Sequence, residues 1–208
     1  MEKIIMNNII KLTKRVFISF ALVVMIYTLS IAEEKQKLIG FVNDTAKQVI
    51  SVIESTSADS QKEQELRDIF CNSVDIDWMA RFALGKYYKE INQQQLNEYL
   101  VAYKNFLINT YVSKFSEYNG VNFDIESVKY ISSSQYIVST KILNKKYTSK
   151  YISVAYRIKM INNHFLIRDI IAEDISLILG QRADFNSIIS KEGIQALIEK
   201  LGEKLNRE

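Results

Sequence analysis

An α+β domain is what this sequence predicts, on three observations. Apolar residues recur at helical spacing through the first half, the period changes from 3.6 to 2 after Gly120, and helical spacing returns around residue 181. Helices that bracket a block of strands make an α+β arrangement rather than a βαβ alternation. Four strands in sequence, at least the last two joined by a short turn, make the sheet mostly antiparallel, with about four to five strands in all.

The chain opens on Lys3, Lys11, Lys14 and Arg15, followed by the uncharged run VFISFALVVMIYTLSIA. Ser30 and Ala32 then form a small-x-small pair before EEKQK. A basic region, an apolar region and small residues at the exit are the parts of a secretory signal peptide. Residues 1–32 are therefore expected to be a signal peptide, and residues 33–208 a single exported domain. The alternative is a retained anchor, although the run is slightly short of the roughly 20 residues a relaxed span needs. The net charge of +3 belongs to this segment, which holds four of the 27 Lys and Arg and one of the 24 Asp and Glu. A mature domain with 23 charges of each sign lacks the basic footprint that nucleic-acid binding requires.

The elements follow in order. Leu38, Phe41, Val42, Ala46, Val49, Ile50 and Ile53 fall on one helical face. A polar break, STSADSQ, precedes a short helix carrying Leu66, Ile69 and Phe70. Asp75 or Asp77 can N-cap the next helix, whose stripe is Trp78, Met79 and Phe82, and Gly85 is placed to end it. Asn92 with Gln95 resembles a capping box. It opens a long helix through Leu96, Tyr99, Tyr103, Phe106, Leu107, Tyr111 and Phe115, stopped by Asn119-Gly120. The strands alternate through Val121, Phe123 and Ile125; through Tyr136, Val138 and Thr140; and through Ile152, Val154, Tyr156 and Ile158. Asn162-Asn163 reads as a two-residue hairpin turn leading into HFLIRDII. Glu173 and Asp174 read as an N-cap setting at a strand-to-helix junction, before helices around 181–190 and 193–205.

Most catalytic chemistry is missing. One His excludes a metal site of two imidazoles, and one Cys, Cys71, excludes an intramolecular disulfide and reads as a small core side chain. The six Gly are scattered singly, so no Gly-rich phosphate loop exists. His164 follows a turn, where an exposed polar residue is expected. On periodicity alone, Asp75, Asp77, Trp78, Met79 and Phe82 read as helix cap and packing, with Arg81 and Lys86 facing solvent.

The same stretch, VDIDWMARFALGKYYKEI, and the long helix behind it resemble the central block of the MlaC, or toluene-tolerance, family of periplasmic phospholipid-binding proteins. Tyr111, Phe115, Tyr118 and Gly120 match the end of that family's long helix, VAYRI at 154–158 its V-x-Y-R strand, and IRDIIAEDISLILGQRADF its strand-to-helix segment. Two departures stand out: Asp174 occupies a position that is usually Gly, and Phe165 one that is commonly Trp. The resemblance implies a fold like that of nuclear transport factor 2, helices packed on a strongly twisted sheet around an apolar cavity. It implies a monomeric, soluble carrier of phospholipid between outer and inner membranes. Its partners would be an MlaA-type outer-membrane lipoprotein and the MlaD-type domain of an inner-membrane ABC transporter. No cofactor, metal or catalytic residue is implied. Lining residues expected on the inward stripes are Trp78, Phe82, Tyr87, Tyr88, Phe106, Tyr111, Val154 and Tyr156, with Arg157 near the head group. Two rivals stay open: an anchored scaffold with a solid core, and a small-molecule enzyme using His164 or Asp169.

Overall fold

The computed structural model describes residues 32–116, 121–132, 134–144 and 151–203. The chain divides into two compact units after Gly40. The first helix, α1, covers residues 32–54, of which 32–40 belong to the first unit. Everything below belongs to the second. There α2 (Asp59–Ser73) and α3 (Ile76–Leu84) lead through a 3-10 turn, Gly85–Lys89, into α4 (Gln93–Ser116). The strands β1 (Val121–Ser132), β2 (Gln135–Asn144), β3 (Tyr151–Ile161), β4 (His164–Ala172) and β5 (Ile175–Ser176) follow, and α5 (Leu177–Glu203) closes the unit. The expected stop at Asn119-Gly120 lies outside the described residues.

Local chemistry sets the boundaries. Asp75 caps α3, its Oδ1 accepting from the Trp78 amide at 3.3 Å, while Asp77 sits exposed in the first turn. Gly85 ends that helix at φ 60. The Asn92–Gln95 capping box is complete: the Gln95 amide donates to Asn92 Oδ1 at 2.9 Å, and the Asn92 amide to Gln95 Oε1 at 3.1 Å. Two orphan amides of α4 are thereby satisfied. Gly193, at φ 85, divides α5 into two helical stretches.

The sheet is a meander in the order β1-β2-β3-β4-β5, every pair antiparallel. Asn162 and Asn163 form the β3–β4 turn at φ 49 and 63, as Asn-rich two-residue hairpins do. Glu173 and Asp174 correct the expectation made for them. They are the turn of a second tight hairpin, at φ 47 and 65, between β4 and β5. Glu is unusual in that conformation. Here its amide donates to the Ser153 carbonyl at 3.0 Å and its carboxylate accepts from the Ser153 amide at 2.7 Å, which fixes it. The cap of α5 is instead Ser176, whose Oγ accepts from the Leu179 amide at 3.2 Å.

One sheet face carries Tyr136, Val138 and Thr140 on β2, opposite Ile158, Tyr156 and Val154 on β3. Thr140 is fully buried there and gives its hydroxyl proton to the Val154 carbonyl at 2.8 Å. Phe41 of α1 reaches this face through Phe165, 5.9 Å between ring centroids, and Phe165 in turn meets Tyr136 edge-on at 6.1 Å. The helical core is separate in composition. Tyr99, Tyr103 and Phe106 of α4 surround Phe185 of α5, with centroids 6.0 to 6.4 Å apart and near-perpendicular or tilted rings. Pairs of this kind each add about 0.5–1.5 kcal/mol beyond burial. Ile108 and Val112 are buried as well, so the middle of α4 is covered on more than one side. Cys71 is only half-buried. No described helix is long and apolar enough to cross a membrane.

Candidate functional site

The order of burial along β4 locates the site. Period 2 alone would put Ile167 and Ile170 on opposite faces. A bulge intervenes: Ile158 pairs with Ile167 and Arg157 with Asp169, so Arg168 is the extra residue. Ile170 pairs with Tyr156, and Ile167 and Ile170 therefore share one face. They form the floor of a pocket whose walls are Phe70 of α2, Val74 just after it, Met79 of α3, Tyr111 of α4 and Leu177 of α5. Its empty space is about 270 Å³, mouth included. Phe70 and Tyr111 stack at 6.2 Å and 14°, giving one wall a flat aromatic surface.

Behind Tyr111 lies a buried polar seam. The Tyr103 hydroxyl donates to Gln181 Oε1 at 2.7 Å, and Tyr111 also hydrogen-bonds with Gln181. Burial pushes the Tyr103 hydroxyl pKa far above its ordinary value, with Tyr111 and Asp169 adding to it. Burial raises Tyr111 too, opposed by the Gln181 bond. Both hydroxyls stay protonated across the physiological range. Asp169, 1 % exposed, is satisfied by the Ser176 hydroxyl at 2.7 Å and the Ile178 amide at 3.2 Å, with Arg157 Nε at 4.0 Å. Asp169 thus ties the start of α5 to β4, and a carboxylate so engaged is a structural anchor.

The expected lining residues are distributed unevenly around this pocket. Tyr111 lines it. Tyr156 and Val154 lie on the sheet face that Ile170 shares, Val154 buried and Tyr156 half-buried. Phe106 is buried against Phe185 in the helical core. Arg157 lies on the opposite face of β3, beside Asp169. Trp78 and Phe82 are half-buried and stack on each other at 4.9 Å and 22°. Arg168 lies over Trp78 at 4.6 Å and Arg182 over Phe82 at 4.8 Å, so the four form one cation–aromatic ladder. Tyr87 and Tyr88, in the 3-10 turn, carry Lys86 at 4.8 Å and Arg81 at 5.8 Å over their rings. His164 is exposed, its Nδ1 2.8 Å from the Asn162 carbonyl. Among the described residues no cluster of three or more His, Cys, Asp or Glu could hold a metal ion.

Sequence periodicity passed over Phe70, Val74, Ile167, Ile170 and Leu177 as site residues. Nothing in the alternation of β4 marks the bulge, and Val74 enters the wall only through its bridge to Ile167. Met79 was visible in the α3 stripe but reads there as core.

The family model described as MlaC protein matches residues 43–203. No curated protein sequence matches the chain. Among solved structures, the fold is similar to that of a phospholipid-binding protein from Ralstonia solanacearum, solved in complex with a phospholipid. The TM-score is 0.71 at 18% sequence identity, over 81% of this chain and 96% of that one.

Proposed function

This chain belongs to the MlaC protein family, and from that membership we propose that it is a periplasmic carrier of phospholipid, not an enzyme. The observation that carries the reading is the pocket between β4 and the helices, walled by Phe70, Val74, Met79, Ile167, Ile170 and Leu177, with Tyr111 as the one residue bearing a polar group. Such a lining suits acyl chains and offers no reacting group a companion. The bound phospholipid of the Ralstonia solanacearum protein supports the same reading.

The energetics set what the pocket must do. Acyl chains transfer from water at about 0.8 kcal/mol per CH₂, so two chains represent on the order of 20 kcal/mol gross. The enclosed cavity is only about 10 Å³, far below the about 300–1,000 Å³ of small-ligand pockets. Loading therefore moves the helical wall outward from β4. Tyr111, Val154 and Tyr156 are the expected lining residues that this motion exposes first, since they share the pocket or its sheet face. Release against so large a burial term needs an apolar acceptor. That supports docking to an MlaA-type outer-membrane lipoprotein and to the MlaD-type domain of an ABC transporter, shuttling lipid between the two membranes.

Native mass spectrometry of the protein purified from periplasm without detergent tests the proposal. A stoichiometric adduct of phospholipid mass is expected. A clean apo mass that persists after incubation with phospholipid vesicles would overturn it.

A further inference from the structure

Arg168 and Arg182 occupy the two ends of the Trp78–Phe82 stack, and their surroundings differ. Arg168 donates through Nε to Asp75 Oδ2 at 2.8 Å, so its charge is matched. Arg182 stacks on Phe82 at 4.8 Å, but among the described residues it has no ion-pair partner and its guanidinium donates to no protein acceptor. Its position is nevertheless fixed. A Cβ placed on Gly85 would meet Nε, Nη2 and Cζ at 3.1, 3.2 and 3.3 Å, so the guanidinium lies directly against bare backbone. Asn186 holds the supporting helix turn, donating to the Arg182 carbonyl at 2.6 Å and to the Ala83 carbonyl at 3.2 Å. The neighbouring stretch 81–90 adds the exposed cations Arg81, Lys86 and Lys89 against a single acid, Glu90.

We propose that Arg182 is an oxyanion-binding site for a phosphate-class group, either a phosphodiester from a lipid head group or free phosphate. A guanidinium fork matches two oxygens of such a group at once. Ordering the fork in advance, between the Phe82 ring and Gly85, removes much of the rotamer entropy that binding would otherwise cost. Arg168, equally stacked but engaged by Asp75, is the internal control. The site lies outside the apolar pocket and does not rest on the carrier reading.

The test follows the arginine Nε–Hε resonances of the purified protein by NMR during titration with inorganic phosphate, then with glycerophosphocholine, each against sodium chloride of matched ionic strength. The Arg182 resonance is expected to shift saturably while that of Arg168 stays in place. Arg182→Lys, which keeps the charge and loses the fork, should weaken phosphate binding at least tenfold. Phe82→Leu, which keeps an apolar side chain and loses the platform, should weaken it severalfold. Saturation by glycerophosphocholine in the same range assigns the site to phosphodiesters, and saturation by phosphate alone assigns it to the free anion. Equal movement of both arginines, reproduction by chloride, or unchanged affinity in Arg182→Lys would overturn the proposal. None of these readouts depends on lipid uptake, so the site and the carrier function stand or fall separately.

Discussion

Asp75 and Arg168, 93 residues apart in sequence, meet at 2.8 Å, and the same carboxylate caps α3 through its other oxygen. The Asp75 amide also donates to the Ile167 carbonyl at 2.9 Å, beside the bridge between Val74 and Ile167. One residue thus fixes the start of a helix, the bulge of a strand and the side wall of the pocket. The residue that the sequence offers as a helix cap is also a structural joint.

Replacing Asp75 separates these roles. Asn retains the capping acceptor and loses the charge, whereas Ala loses both. Asp75→Asn should cost about 1–2 kcal/mol, and Asp75→Ala about 1 kcal/mol more, since caps are typically worth that. Urea denaturation of both variants decides it. Equal stability of the two would mean that the cap contributes nothing.

Gly85→Ala should destabilise by about 2 kcal/mol, because the backbone there has φ 60 and a Cβ would press on the Arg182 guanidinium. Arg182→Ala in the same chain should restore part of that loss by vacating the space. A double-mutant cycle with no coupling would show that strain in the backbone accounts for all of it.

Alkaline pH should loosen the helical core. Burial raises the hydroxyl pKa values of Tyr99 and Tyr103 above the ordinary 10.0. Above that pH the unfolded chain releases these protons and the folded one holds them, so stability is full below about pH 10 and falls as pH rises further. Thermal melts from pH 8 to 11 should show the drop. Tyr103→Phe should make the decline shallower, and an unchanged slope would show that other groups dominate.

Asp174→Gly should raise stability by about 0.5 kcal/mol, or Tm by about 1–2 °C, by relieving the positive φ of an exposed side chain. The gain is small because Gly also enlarges the freedom of the unfolded chain. A lower Tm would mean that the Asp174 side chain supports the turn.

Features encoded locally were legible in the sequence. Asp75, the Asn92–Gln95 box, Gly85 and the Asn162-Asn163 turn each declare themselves through the chemistry of one or two neighbouring side chains, and the structure repeats them. The change of period after Gly120 placed the sheet. Features that depend on two distant segments were hidden. The bulge at Arg168 brings Ile167 and Ile170 onto one face, and no alternation rule marks it. Glu173-Asp174 reads as a cap because carboxylates favour helix starts, yet Glu173 is held in its turn by Ser153, twenty residues earlier. Arg182 looked like part of a motif; only its placement against Gly85 gives it a distinct character.

The meander has a consequence for how the domain holds together. Each strand pairs with its predecessor, so sheet contacts close short loops. The joints around the pocket close long ones, 93 residues for Asp75 with Arg168 and 103 for Asn186 with Ala83. Loop-closure entropy rises with loop length, and contacts of large sequence separation are slow to form. The seam between α3, α5 and β4 should therefore be the last part to form and the first to open. Hydrogen exchange should show amides of α3 and of the first turns of α5 exchanging through a local opening while β2 and β3 stay protected. Opening that seam parts the helices from β4 and leaves the paired strands of the sheet intact.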